Sequence, residues 1–298
     1  MSLVSFTKVT QLDHLQLKQA ILDSLSLIHY RLPAKVDNVV IKPNMCYYWD
    51  RSTGYTTDPA FVGALIDLIR KLAPSDVDIS VVESDASAMK CKYAFKILGY
   101  EKMAEKYGVN LVNLSEDKTE KVDVSVNGHK LSLRIPCTIK DADLCINVPK
   151  LKYMMQTTIT CALKNVFGCN PIPTKYKFHP RLDETIVALN KAMKFRLNIL
   201  DGIIAPGTPP RKMNFIMASE DPVAFDAAGA RILGVNPKRV KHIALASREG
   251  LGNISYIPKG IDPKIIAKQY PRKKPSNKLM LMAYDLVTRI GLIDTETL

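Results

Sequence analysis

The sequence predicts an α/β fold with a mostly parallel, doubly wound, Rossmann-like sheet. Short apolar segments alternate with segments of helical periodicity along most of the 298 residues, the pattern of repeated βαβ units. Several of the apolar segments run straight into charged or hydroxyl-bearing residues, as buried parallel strands do where they meet ligand-bearing loops. A single stretch, 121–135, instead alternates polar and apolar residues about Asn127-Gly128, the signature of a type I′ hairpin. It predicts an antiparallel hairpin inserted into the parallel pattern.

Taken in order, residues 11–28 place Leu12, Leu15, Leu17, Ile21, Leu25 and Ile28 on one broad helical face. Residues 38–44 form a buried strand ended by Pro43. Asp58-Pro59 opens a helix, with Asp as N-cap and Pro at the first helical position. A strand over 78–82, a helix over 94–107 and a strand over 109–114 follow. Beyond the hairpin, the parallel pattern resumes with a strand over 142–148. Then come a helix near 157–167, a helix near 182–194, strands over 196–202 and 214–219, a helix over 221–234 and another over 236–249. The expected organisation is an α/β core over 1–252, with two lobes meeting near 142–150. A basic C-terminal strap with an amphipathic helix over 279–290 completes it.

The formal net charge is +13, with aromatic residues only 7% of the chain. That balance favours anionic partners. It fits single-stranded nucleic acid less well, because the cations are not interleaved with aromatic stacking platforms. No apolar run is long enough to span a bilayer and the first residues lack a signal-peptide pattern, so the expected placement is cytoplasmic. None of the six cysteines stands in a Cys-x-x-Cys pair, so neither a zinc ribbon nor an iron–sulfur loop is expected. GxGxxG, P-loop, GxSxG and HExxH motifs are absent.

The chemistry concentrates at the predicted strand ends. Lys42 and Asn44 follow the first strand, Glu83 and Asp85 the second, and Asn147, Lys150 and Lys152 the strand over 142–148. Asp201 and Asp221 close two later strands. Lys150 and Lys152 project alike on extended backbone, and two such ammonium groups repel unless an anion lies between them. The expected helix start at Thr157 and Thr158 adds backbone amides suited to a phosphate or carboxylate. Asn165 and Lys175, with Thr56 and Thr57, complete the candidate ligand set. Lys164, His179, Asp201 and Asp221 are the candidates for proton transfer or charge stabilisation. Glu83, Asp85, Asp201 and Asp221 also offer hard oxygen ligands for a divalent metal, at unspecific spacing.

Eight segments occur in a family order: VIKPN (40–44), TTDP (56–59), VVESD (81–85), NVPKLK (147–152), TTITCALKNVFG (157–168), the loop 175–179, ILDGI (199–203) and SEDPVAFDAAGARILG (219–234). Together they resemble the family catalogued as domain of unknown function 362, over roughly residues 36–252. The resemblance implies redox chemistry with an anionic organic cofactor such as a flavin or deazaflavin, and a ferredoxin-like electron partner. This chain lacks the four-cysteine cluster motif of the fused family members. The expected function is therefore an enzyme that binds a phosphorylated or polycarboxylate small molecule, most readily for a redox step. The alternatives are a lyase or isomerase with an active-site lysine, or a nucleic-acid-binding or assembly protein using the basic charge.

Overall fold

The computed structural model describes residues 1–73 and 76–272. In chain order the elements begin with β1 (Ser2–Lys8), α1 (His14–Leu27), β2 (Asn38–Pro43), α2 (Pro59–Leu72), β3 (Asp78–Glu83), α3 (Cys91–Ile97), α4 (Tyr100–Tyr107) and β4 (Asn110–Asn113). The middle of the chain supplies β5 (Thr119–Val126), β6 (His129–Pro136), α5 (Cys137–Lys140), β7 (Leu144–Val148), β8 (Lys152–Met154), β9 (Thr158–Thr160) and α6 (Ala162–Val166). The remainder is α7 (Leu182–Ala192), β10 (Leu197–Ala205), β11 (Arg211–Ser219), α8 (Pro222–Ile232), α9 (Lys241–Arg248), β12 (Tyr256–Gly260) and α10 (Pro263–Gln269).

Eight strands form one sheet in the order β12-β1-β11-β10-β7-β2-β3-β4. All run one way except β11, which is antiparallel to both β10 and β1. The predicted mixed, mostly parallel α/β architecture is therefore the observed one. Alternate residues of each strand enter two separate cores, as a pleated sheet requires. Val39, Ile41, Leu144, Ile146 and Ile199 pack with α1 and α2. Val40, Cys145, Leu200 and Met217 face the opposite core, which contains residues of α6 to α9. The hairpin β5–β6 is a separate two-stranded sheet whose Val126, Leu133 and Ile135 join that second core. Asn127 and Gly128 both have positive φ, as the type I′ signal requires.

Some sequence expectations are corrected. The helix expected from Thr157 starts five residues later. Thr158–Thr160 pairs with Lys152–Met154 as a small hairpin, as β-branched Ile159 and Thr160 favour, although Thr158 itself takes a left-handed φ of 66°, and Cys161 stays non-helical before α6. The helix expected over 94–107 is two helices, divided at Gly99 in the left-handed region. The strand over 214–219 reverses direction because the connection from β10 is a short proline-rich turn over 206–210, too short for a parallel crossover. β1 was not visible as a strand in the sequence. The sheet also continues past residue 252, since β12 pairs with β1 and α10 packs on α8. The amphipathic helix expected over 279–290 lies outside the described residues. Among the described residues no helix is long and apolar enough to cross a membrane.

Ile41 lies at the centre of the sheet and is fully buried. Ile41→Ala should lower unfolding free energy by about 2–5 kcal/mol in urea denaturation, with an unchanged denaturant slope.

Candidate functional site

The chain leaves β2 towards β3 and leaves β7 towards β10, on opposite sides. The carboxyl ends of β2 and β7 therefore flank the switch point of the sheet, where open α/β folds bind ligands. A polar row crosses the sheet just below this point. Lys42, Asn147, Asn198 and Ser219 are successive register partners on β2, β7, β10 and β11. Asn147 donates to the Asn198 side chain at 3.0 Å and accepts from Asn165 at 2.7 Å. Asn198 donates to the Ser219 carbonyl at 3.2 Å. Asn165 stands on α6, so the row fixes that helix against the sheet.

The amino end of α6 is held too. Buried Asp226 on α8 accepts from the Ala162 and Leu163 amides at 2.7 and 3.2 Å. The helix start that the sequence suggested for an external anion is thus occupied by an internal carboxylate, one register further on.

Lys42 of this row and four further lysines converge at this end of the sheet. Lys42 is buried, with its ammonium 2.7 Å from Glu83 and donating to the Pro43 carbonyl. Lys150 is buried 3.2 Å from Asp201. Lys152, also buried, donates to Asn44 Oδ1 at 2.8 Å and to the Tyr55 carbonyl at 3.1 Å. Half-buried Lys175 donates to Ser84 Oγ and, at 3.1 Å, to the Gly168 carbonyl. Lys164 is half-buried, with its ammonium 4.2 Å from the Phe167 ring centroid and no hydrogen-bond or carboxylate partner among the described residues. Among the described residues, only Glu83 and Asp201 pair with any of these five cations. Thr56 and Thr160 add buried hydroxyls without a partner among the described residues, and Thr160 lies directly across the small hairpin from Lys152.

Burial first, and mutual repulsion after it, depress three of these lysines. Burial, followed by the charges of Lys175 and Lys152, pushes Lys164 down to about 7. Burial and Lys42 push Lys175 down to about 8, against the opposing pull of Glu83. Burial lowers Lys152 as well, with the Cys46 thiol beside it working the other way. His179 lies on the exposed 3-10 segment Lys175–Arg181, close enough to Lys164 for that charge, after partial burial, to depress it.

The site thus joins Lys42, Glu83, Lys150, Lys152, Lys164 and Lys175, with Asn44 and Thr56 at its edge. Other expected members serve the scaffold. Asp201 accepts from Asp58 and Ile203 amides at 2.9 and 3.1 Å besides facing Lys150, so it is not a free acid or base. Thr57 bridges the Asn44 amide and the Val148 carbonyl. Asp85 accepts from the Cys91 amide and pairs with Lys90. Thr157 donates to the Ile159 carbonyl, and Thr158 is exposed. Asp221 caps α8, accepting from Val223 and Ala224. Because β11 runs antiparallel, Asp221 also points towards the end of the sheet opposite the lysines. It therefore cannot join Glu83, Asp85 and Asp201 around a metal, and no group of three metal-ligating side chains occurs among the described residues. Asn198 and Asp226 escaped the sequence reading, although a polar residue inside an apolar strand or helix was the available signal. Ser84 at its strand end and Thr160 in the threonine-rich stretch after Lys152 are visible in the sequence, but their roles follow only from the partners the fold gives them.

The family described as domain of unknown function (DUF362) matches residues 39–231, and the chain belongs to it. It is 37% identical over 132 residues to the thylakoid-associated protein sll1697 of Synechocystis sp., a match covering 40% of this chain and 41% of that relative. The fold is similar to the lactate racemase apoprotein of Thermoanaerobacterium thermosaccharolyticum, with a TM-score of 0.52 and 11% identity. That similarity covers 78% of this chain and 57% of the racemase. The chain thus spans less than two thirds of either protein, and the second likeness concerns the fold alone.

A lysine lowered from 10.5 to about 7 binds fewer protons folded than unfolded across that interval, so stability rises with pH through it. Below it the cost of the buried charge is present in full. Lys164→Met should therefore raise the melting temperature most below about pH 7 and leave it nearly unchanged above about pH 10.5, read by thermal denaturation across pH.

Proposed function

We propose that this chain is an enzyme that binds a small anionic molecule, phosphorylated or polycarboxylate, at the lysine cluster. The observation that carries this reading is the excess of five converging lysines over two carboxylates at the switch point. Such an excess is costly to hold without an anion. Lys42 and Lys150 already have carboxylate partners. The donors left for a ligand are Lys152, Lys164 and Lys175, with the Thr56 and Thr160 hydroxyls. Lys164 is the proton-transfer group, since it exists in both protonation states near neutral pH, with His179 exchanging protons at the surface.

Family resemblance supports a redox form of this reading, with a flavin or deazaflavin cofactor and a ferredoxin-like electron partner. The cationic donor set suits the phosphate of such a cofactor, which when bound would supply electron transfer. This chain's lysines would hold its anionic tail and Lys164 would hold or release a proton beside it. A visible spectrum of the purified protein, with mass spectrometry of whatever denaturation releases, tests this form. A coloured stoichiometric cofactor is expected, and a colourless protein releasing nothing overturns it.

One observation favours a second chemistry. Lys164 is partly accessible and has no carboxylate partner, which suits a lysine that abstracts a proton or forms a Schiff base in a lyase or isomerase. Borohydride trapping of a carbonyl substrate on Lys164, absent in Lys164→Met, would distinguish it from redox transfer.

Either chemistry requires the anion site. Inorganic phosphate should raise the melting temperature more at about pH 6 than at about pH 10, because the lysines lose charge between them. Lys152→Met should weaken phosphate binding about tenfold or more by calorimetry, the loss of one desolvated charge-assisted contact. Wild-type affinity in that variant would exclude the site.

A further inference from the structure

A second feature adjoins the lysine cluster. An open cleft of about 570 Å³ runs from Lys152 along the β10–β11 turn, a volume in the range of small-molecule sites. Among the described residues its lining has three cations, Lys152, Arg211 and Arg272, and no carboxylate. Prolines of the 206–210 turn and Pro271 give it stiff walls, and Tyr55 and Tyr153 supply rings. Both rings are positioned. Tyr153 donates its hydroxyl to the Leu233 carbonyl at 2.5 Å, and Tyr55 is braced edge-on by Trp49 with centroids 4.7 Å apart.

The loop carrying Tyr55 is seated firmly against the turn. Gly54 has φ +75°, and a Cβ there would lie 2.6 Å from backbone atoms of Ala205 and Pro206. Only glycine allows that approach. Lys152 belongs to both compartments, since its ammonium bonds Asn44 and the Tyr55 carbonyl in the cluster while its side chain lines the cleft. Its ammonium is also 5.5 Å from the Tyr55 ring centroid, within cation–π range. Arg211 has no hydrogen-bond or carboxylate partner among the described residues and is exposed at the rim.

We infer that the ligand of the lysine cluster is a two-part molecule: a phosphate-bearing compound whose planar heteroaromatic ring occupies this cleft, stacked against Tyr55. Lys152 holds the phosphate at the junction, and Arg211 at the rim meets a second polar or anionic group. A simple phosphate or carboxylate would use the cluster and leave the aromatic compartment without a role. This inference rests on the anion-site reading above and goes beyond it in naming the ligand class.

The test compares three probes by calorimetry on the full chain: inorganic phosphate, AMP and riboflavin 5′-phosphate. At least one ring-bearing probe should bind about tenfold or more tightly than phosphate, the scale of ring stacking on a tyrosine. Tyr55→Ala should remove that advantage and leave phosphate affinity unchanged. Arg211→Ser, an exposed substitution that does not threaten folding, should reduce it. If phosphate binds and neither ring-bearing probe binds more tightly, the cleft assignment is wrong while the anion site stands. An advantage that survives both substitutions also overturns the cleft. Absence of binding by all three probes overturns the anion site and this inference with it.

Discussion

The hydrogen-bonded row Asn165–Asn147–Asn198 is the interaction on which the site depends. Two of these amides, Asn147 and Asn198, are register partners in the sheet, and Asn165 of α6 donates to the first of them. Buried amides are costly unless satisfied, and a satisfied chain of them allows few alternative geometries. The row therefore sets where α6 sits. With Asp226 capping its first amides, α6 is held at both ends despite being only five residues long. Lys164 and the Gly168 carbonyl that receives Lys175 inherit their positions from it.

On this platform the fold gathers more positive charge than it neutralises. Glu83 and Asp201 each answer one lysine, and both carboxylates also accept backbone amides. They serve as anchors and are unavailable to the remaining cations. Lys152 and Lys175 lean on neutral oxygens, and Lys164 on an aromatic face. Burial depresses Lys152, Lys164 and Lys175, and neighbouring lysines add to the effect, because neutral dipoles stabilise an ammonium less than a carboxylate does. This imbalance is what the proposed anion site rests on.

The single reversed strand governs the rest of the arrangement. Because β11 returns antiparallel through a short proline-rich turn, that turn stands at the same end of the sheet as the lysines. It becomes the outer wall of the cleft beside Tyr55 and Lys152. The same reversal carries Asp221 away, where it caps α8 and fastens Ser2 and the Asn253 amide. One connection thus separates a carboxylate from the site and adds a binding wall to it.

The sequence by itself determined the α/β class, most of the elements, the inserted hairpin and the lysines at the strand ends. Those features are local: periodicity, capping residues and turn chemistry act over a few residues, and the order of family segments is linear. Lys42, Lys150 and Lys152 were legible because cations placed at the ends of apolar strands contrast with their surroundings, and Lys164 and Lys175 because they follow in the helix and loop next along the chain. Only the tertiary structure decided which polar residues gather in the candidate site and which satisfy the backbone. Asp201, Thr57 and Asn147 have the same chemistry in either role, and the choice depends on partners more than 50 residues away in the chain. Strand direction was likewise beyond local pattern, since β11 reads as a strand whichever way it runs. The physical reason is that a buried polar group takes its role from the partners that packing brings to it.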